Sequence, residues 1–243
     1  MGKQWVRQEI KRDELAEQID RLLVWVSRNQ QLAGMIAAAA AVVIVGSALL
    51  VYRSRSIAAA SWDRLALAEE AAYAGQGDSA IQQLKSLAEQ YSGSDAAAYG
   101  LLFQGDLLYT KGNYKEALEA YGKVVEYGRP KVIQPLAAGD SALAQEAAGD
   151  CAQAIQSAQR FLETYPDHYL APQVHACLAR CLESSGQPDQ ARTAAQKIAL
   201  QYPDTSFAAW ARQKVEGVKP GAPAATPPAV RPPLRPAAAP AKR

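Results

Sequence analysis

Residues that carry chemistry are scarce in this chain of 243 residues, which holds two histidines and three cysteines. Cys151, Cys177 and Cys181 are too few for a scaffold built on disulfides. The sequence has no G-x-x-x-x-G-K-[ST], no G-x-G-x-x-G on a strand, no H-E-x-x-H and no G-x-S-x-G. His168 lies in a Tyr-Pro-Asp-His turn without a base or nucleophile companion, and the carboxylates fall on solvated helical faces, so no catalytic residue is expected. His175, Cys177 and Cys181 invite a metal reading. On a helix, however, His175 is turned about 200° from Cys177, and no fourth ligand stands at zinc-like spacing. The expectation is a protein that is not an enzyme and has no cofactor, no metal and no small-molecule substrate.

Basic charge is also missing where a nucleic-acid binder would need it. Residues 57–216 hold 13 Lys and Arg against 19 Asp and Glu, which leaves no electrostatic footprint for a phosphate backbone. Residues 217–243 show the reverse, with five basic groups, eight prolines, no acidic residue and no aromatic one. Such a segment cannot bury a core and reads as a disordered tail of polyproline character. Pro232-Pro233-Leu234-Arg235-Pro236 within it is either a docking peptide or plain solvated tail. Its positive charge would attract anionic lipid or acidic proteins.

The one long stretch without charge is Leu32–Tyr52, LAGMIAAAAAVVIVGSALLVY. Its 21 residues match the ~20 that a helix needs to cross a hydrocarbon core, and inside lipid a helix satisfies its own backbone. Gly34, Gly46 and Ser47 are small residues common in membrane helices, and Arg53 and Arg55 follow where they reach headgroups. A buried core helix and a cleaved signal peptide are the alternatives. The run is long for either, and about thirty polar residues precede it, so an uncleaved single span is expected.

Residues 1–31 form a charged leader in which Leu15, Ile19, Leu22, Leu23 and Val26 recur at helical spacing. With Trp5 and Trp25 it reads as an amphipathic helix at the membrane surface, or as a partner-binding helix. Orientation by flanking charge is a tie, Arg12, Arg21 and Arg28 on one side against Arg53, Arg55 and Arg64 on the other. A short internal leader with an exported domain is preferred.

Beyond the span, four turns align around Gly77, Gly112, Gly149 and Gly186, and Ala80, Ala117, Ala154 and Ala191 follow one another at a period of 37. Tyr91, Tyr165 and Tyr202 keep the frame, as do Pro166 and Pro203. A period in this range predicts a solenoid of helical hairpins. Glycine ends the first helix of each pair, alanine lets the pair cross closely, and Tyr-Pro stops the second helix. Stacking of neighbours then buries what one hairpin cannot. Thr205–Val215, with Phe207, Ala208, Trp210 and Ala211, reads as a capping helix.

TKGNYKEALEAYGKVVEY resembles a tetratricopeptide repeat, with Gly105 at the packing glycine and Ala117 and Tyr121 at the characteristic second-helix positions. The joins ETYPDHYLAPQVHACLARC and LQYPDTSFAAWARQKV resemble those of bacterial envelope proteins such as the TolA-binding division coordinator. Leader, single span and degenerate repeats together resemble the ancillary SecYEG translocon subunit, the YfgM-like family, over roughly residues 10–215. Two departures stand out: a first repeat two residues shorter at its turn, and Ala142 where the packing glycine usually stands.

The resemblance implies an all-α fold, a single N-terminal transmembrane helix followed by a right-handed α-solenoid of about four repeats over residues 57–216. It also implies a groove lined by first helices. By the family pattern that groove exposes Tyr99, Leu102, Asp106 and Tyr109 in repeat 2, Leu136, Leu143 and Glu146 in repeat 3, and Gln173, Arg180 and Glu183 in repeat 4. Packing of Tyr99 and Tyr109 between repeats is the competing reading. In the repeat frame Cys151 and Cys181 fall on antiparallel neighbours, which allows a disulfide in an oxidising compartment; three small buried apolar cysteines is the competing reading. The expected protein is a single-pass, inner-membrane scaffold or chaperone-like adaptor of a Gram-negative bacterium, its repeats periplasmic. Its implied partners are proteins, namely the translocon or other envelope proteins and exported clients. An envelope assembly adaptor for division or cytochrome maturation, and a cytoplasm-facing signalling scaffold, are the alternatives.

Overall fold

The computed structural model describes residues 20–216 apart from Leu22. The expectations placed on Trp5, Arg12, Leu15, Ile19, Leu22 and the proline-rich segment 217–243 therefore lie outside the described residues. Every regular element among the described residues is helical. The chain divides into two units, Met1–Ser56 and Ile57–Arg243.

Helix α1, Gln30–Tyr73, runs for 44 residues. None of its residues up to Tyr52 is buried, and at 1.5 Å per residue the uncharged run extends about 31 Å. The helix is long and apolar enough to cross a membrane. Its polar interruption at Ser47 is satisfied from within, because the hydroxyl donates to the Ile44 carbonyl at 2.8 Å. No glycine or proline stands between Arg53 and Tyr73, so nothing breaks the helix after the apolar run. Within the second unit, Ser61, Leu65 and Ala68 of α1 are buried, and this part of α1 serves as the first helix of repeat 1.

The remaining helices are α2 Gly77–Gln90, α3 Asp95–Thr110, α4 Tyr114–Tyr127, α5 Gln134–Ala147, α6 Cys151–Thr164, α7 Ala171–Ser184, α8 Pro188–Gln201 and α9 Ser206–Glu216, with a 3-10 turn at Lys131–Ile133. First helices end at Tyr73, Thr110, Ala147 and Ser184, and second helices start at Gly77, Tyr114, Cys151 and Pro188. Both series step by 37 residues without exception. The turn glycine of repeat 1 is therefore Gly75 rather than Gly77, and the first repeat is not shortened. Gly75, Gly112, Gly149 and Gly186 all adopt positive φ, between 74° and 81°.

One capping geometry recurs at these four turns. Gln76 N–H donates to the Ala71 carbonyl and Gly75 N–H to the Ala72 carbonyl. The same pair of bonds joins Asn113 to Leu108 and Gly112 to Tyr109, Asp150 to Gln145 and Gly149 to Glu146, and Gln187 to Leu182 and Gly186 to Glu183. This Schellman arrangement satisfies carbonyls left over at the helix end, and it needs a left-handed residue that only glycine supplies cheaply.

Packing follows the repeat. Ala80, Ala117 and Ala154 have no accessible surface and Ala191 is buried, as close crossing of paired helices requires. Within repeat 2, a Cβ on Gly105 would stand 2.7 Å from Cδ1 of Tyr121 and closer still to Cε1, so the buried tyrosine ring occupies the space the glycine vacates. Ala142 and Ala158 hold the equivalent positions of repeat 3, both fully buried, so a smaller partner accompanies the larger residue. The junctions between repeats are laced by tyrosine: Tyr202 hydroxyl donates to the Pro166 carbonyl at 2.9 Å, and Tyr127 hydroxyl meets Ser92 Oγ at 3.2 Å. Trp210 and Ala211 of α9 complete the main core cluster.

Candidate functional site

First helices of successive repeats adjoin, α3 with α5, α5 with α7, and α7 with α9. The face they build is where the sequence places its groove, and the structure sorts the ten candidate residues into two groups. Leu102, Leu136, Leu143 and Gln173 are buried, Leu102 with no accessible surface at all. These four do not line an open wall. Helices α5 and α7 are each flanked by their own second helix, by the second helix of the preceding repeat and by first helices on either side, which leaves only part of their surface uncovered. Tyr99, Asp106, Tyr109, Glu146 and Arg180 are half-buried, and Glu183 is exposed.

Every member of the uncovered stripe has a neighbour. Tyr99 packs against Trp62 with ring centroids 5.6 Å apart. Asp106 accepts a hydrogen bond from Tyr121 hydroxyl at 2.9 Å, and Tyr109 meets the edge of Tyr114 at 5.4 Å. Arg180 clasps Glu146 with Nε to Oε1 at 2.5 Å and Nη2 to Oε2 at 2.7 Å, and its guanidinium lies 6.0 Å from the Trp210 ring. Glu183 accepts from Lys214 at 2.6 Å. Trp62, Trp210 and Lys214 were not among the sequence candidates. For Lys214 a signal was available: Glu146–Arg180 and Glu183–Lys214 are opposite charges slightly less than one repeat apart, the distance that links adjoining first helices.

The electrostatics of this stripe are those of a half-dry pocket. Burial first, then Tyr114, Glu146 and neighbouring charges, pushes the Tyr109 hydroxyl up to about 12. Burial opposes the charge on Arg180, but the hydrogen bond and charge of Glu146 outweigh it and hold the guanidinium pKa above its ordinary value. The Cys177 thiol is pushed up by burial and by Glu146.

Beneath Glu146 the three cysteines converge. The sulfur atoms of Cys151 and Cys181 are in contact with Cα atoms 4.9 Å apart, inside the range a disulfide spans. Cys177 is a buried free thiol in the same cluster. A carboxylate oxygen of Glu146 and the sulfurs of Cys177 and Cys181 lie within 4.8 Å of one another. His175 is not part of this group; it is buried with its ring 6.0 Å from that of Tyr202. Burial, then Lys197, lowers its pKa to about 4.

The comparisons with known proteins agree with this architecture. Family profiles described as tetratricopeptide repeat match residues 65–131 and 146–213, together more than half of the chain. The chain belongs to the tetratricopeptide repeat family. Among curated proteins, none matches the sequence. Solved tetratricopeptide-like structures share the fold at low identity. A kinesin light chain repeat protein of Podosopora anserina is similar at 15% identity with a TM-score of 0.51, over 63% of this chain and 82% of that one. A tetratricopeptide repeat protein of Parabacteroides merdae is similar at 16% identity with a TM-score of 0.54, over 64% of this chain and 59% of that one. A MamA double mutant is similar at 16% identity with a TM-score of 0.50, over 64% and 92%. Tetratricopeptide repeats bind protein partners, and the fold is an interaction scaffold rather than a catalytic one.

Proposed function

We propose that this tetratricopeptide repeat protein is a membrane-anchored, chaperone-like adaptor of the Sec export machinery, held in a bacterial inner membrane by Leu32–Tyr52 with its repeats in the periplasm. The observation that carries the reading is α1 itself. It carries an uncharged run of 21 residues, none of them buried. Water would solvate that surface at high cost, whereas a bilayer matches its length. Anchoring keeps the repeat face close to partners in the same membrane and turns later encounters into near-intramolecular ones. The stripe of Tyr99, Asp106, Tyr109, Glu146, Arg180 and Glu183 mixes aromatic and charged groups in the manner of a surface for extended polypeptide. The meeting of Cys151 and Cys181 supports a disulfide there, and disulfides persist outside the cytoplasm.

Protease accessibility in intact spheroplasts tests the topology, read with a C-terminal tag and an antibody against the repeats. Digestion of the repeats without lysis is the expected result. Protection until lysis would retire the export reading in favour of a cytoplasm-facing scaffold. Crosslinking from Tyr109 and Glu183 in membranes then tests the partner. Translocon subunits are expected, and division or cytochrome-maturation components in their place would make the protein an envelope assembly adaptor.

A further inference from the structure

We propose that Cys151, Cys177, Cys181 and Glu146 are a metal-binding site for one thiophilic divalent cation of the zinc class, occupied when the cysteines are reduced and closed when Cys151 and Cys181 are joined. The ligands come from three helices, Glu146 from α5, Cys151 from α6, and Cys177 and Cys181 from α7. Cys177 and Cys181 are four residues apart on one helix and therefore share a face. With Glu146 they confine three ligand atoms to mutual distances within 4.8 Å. An ion at the centre of such a triangle is at most about 2.8 Å from each, against ~2.3 Å for a zinc–thiolate bond and ~2.0–2.2 Å for a carboxylate. Side-chain torsions cover that difference. Cys151 is not one of these three, but its sulfur touches that of Cys181, and in the reduced chain it turns in as the fourth ligand. Three sulfurs and one oxygen complete a tetrahedral set of the donors zinc prefers.

The surroundings support a structural ion. Cys177 and Cys181 have no accessible surface, so an ion here would be screened from water. Arg180 fixes the Glu146 carboxylate with two hydrogen bonds and offsets part of the negative charge that three thiolates bring, as the partners of a ligating carboxylate do at metal centres. Neither feature is needed by a disulfide alone. The sequence conceals the site because Glu146 is 31 residues from Cys177 and the fourth ligand belongs to another helix.

The two states exchange by a balanced reaction. A dithiol reductant transfers two electrons and two protons to the Cys151–Cys181 bond, leaves two thiols and becomes a disulfide itself. Binding of the cation then releases the three thiol protons to buffer. The closed state rests on the disulfide proposed above. The metal site does not, since it concerns the reduced chain.

The test uses the full-length protein in detergent micelles under nitrogen, reduced and titrated with cobalt(II) and then with zinc. Intact mass before and after reduction reports the disulfide separately: a loss of two hydrogens in the untreated protein keeps that reading, and its lack removes the closed state alone. For the site, the expected result is one equivalent of cobalt per chain with a thiolate-to-metal charge-transfer band, displaced by zinc and not seen in the oxidised protein. Glu146→Gln and Cys177→Ser should each weaken cobalt binding at least tenfold. Zinc should also slow alkylation of Cys151, which is half-buried, in the reduced wild-type chain, a readout that needs no variant to fold. A reduced protein without the band overturns the site, as does alkylation unaffected by zinc.

Discussion

Arg180 grips both carboxylate oxygens of Glu146 across the seam between α5 and α7, and the two residues are 34 positions apart. The pair is half-buried, with roughly a quarter of each side chain exposed. A charge left without its partner in such a place keeps its desolvation cost and loses its compensation. Arg180→Met and Glu146→Gln should each destabilise the repeat domain by about 1–3 kcal/mol, and the double variant by less than the sum. Urea unfolding of the four proteins measures this. Strict additivity would show that the two groups do not interact.

The pairing of Gly105 with Tyr121 leaves no room for a methyl group. Gly105→Ala should cost about 1–3 kcal/mol through overpacking, and trimming Tyr121 to Leu in the same chain should return part of it. Thermal unfolding decides the matter, and a Gly105→Ala protein as stable as wild type would contradict the contact. Ala117→Phe and Ala154→Phe test the same idea at fully buried crossings, where a similar loss of about 1–3 kcal/mol is expected.

Placing the first turn at Gly75 separates two glycines that stand two positions apart. Gly75 has φ +78°, whereas Gly77 is the first residue of α2 and an added Cβ meets only the flexible Lys111 side chain at 3.4 Å. Gly75→Ala should lose about 1 kcal/mol to backbone strain. Gly77→Ala should be neutral or slightly stabilising. The opposite ordering of melting temperatures would restore the shorter first repeat.

Acid sensitivity should reside partly in His175, whose folded pKa lies at about 4 because burial disfavours the charged ring. The unfolded chain takes up this proton near pH 6.5. The stabilising contribution of the neutral ring is therefore complete above pH 6.5 and is lost as pH falls from there towards 4. Over that window the loss is on the order of 3 kcal/mol. Glu69 acts in the other direction: burial raises its pKa to about 7, so its contribution is present below the ordinary carboxylate value and is lost as pH rises through 7. Unfolding free energies from pH 7 to pH 4.5 should fall less steeply in His175→Asn than in wild type. Parallel curves would remove His175 from the account.

Much of this protein could be read from the chain because its turns are local. A left-handed glycine every 37 residues and a helix stop at Tyr165 and Tyr202 depend on backbone torsions of a few neighbouring residues, so they leave a regular mark in the sequence. The apolar run Leu32–Tyr52 is legible for the same reason, since its length and lack of charge are properties of one segment. The family pattern carried less far at the groove. Leu102, Leu136, Leu143 and Gln173 share the helical face of Tyr109 and Glu146 in a wheel projection but are covered in the stack.

What the sequence by itself determined is the period, the helix ends other than that of the first turn, and the apolar run, because each is settled by local torsion preference and composition. Only the tertiary structure decided which stripe of each first helix stays open, that Arg180 reaches Glu146 and lies over Trp210, and that three cysteines meet beneath one carboxylate. Those are contacts across about one repeat of chain, and the angle at which successive hairpins stack selects which side chains meet.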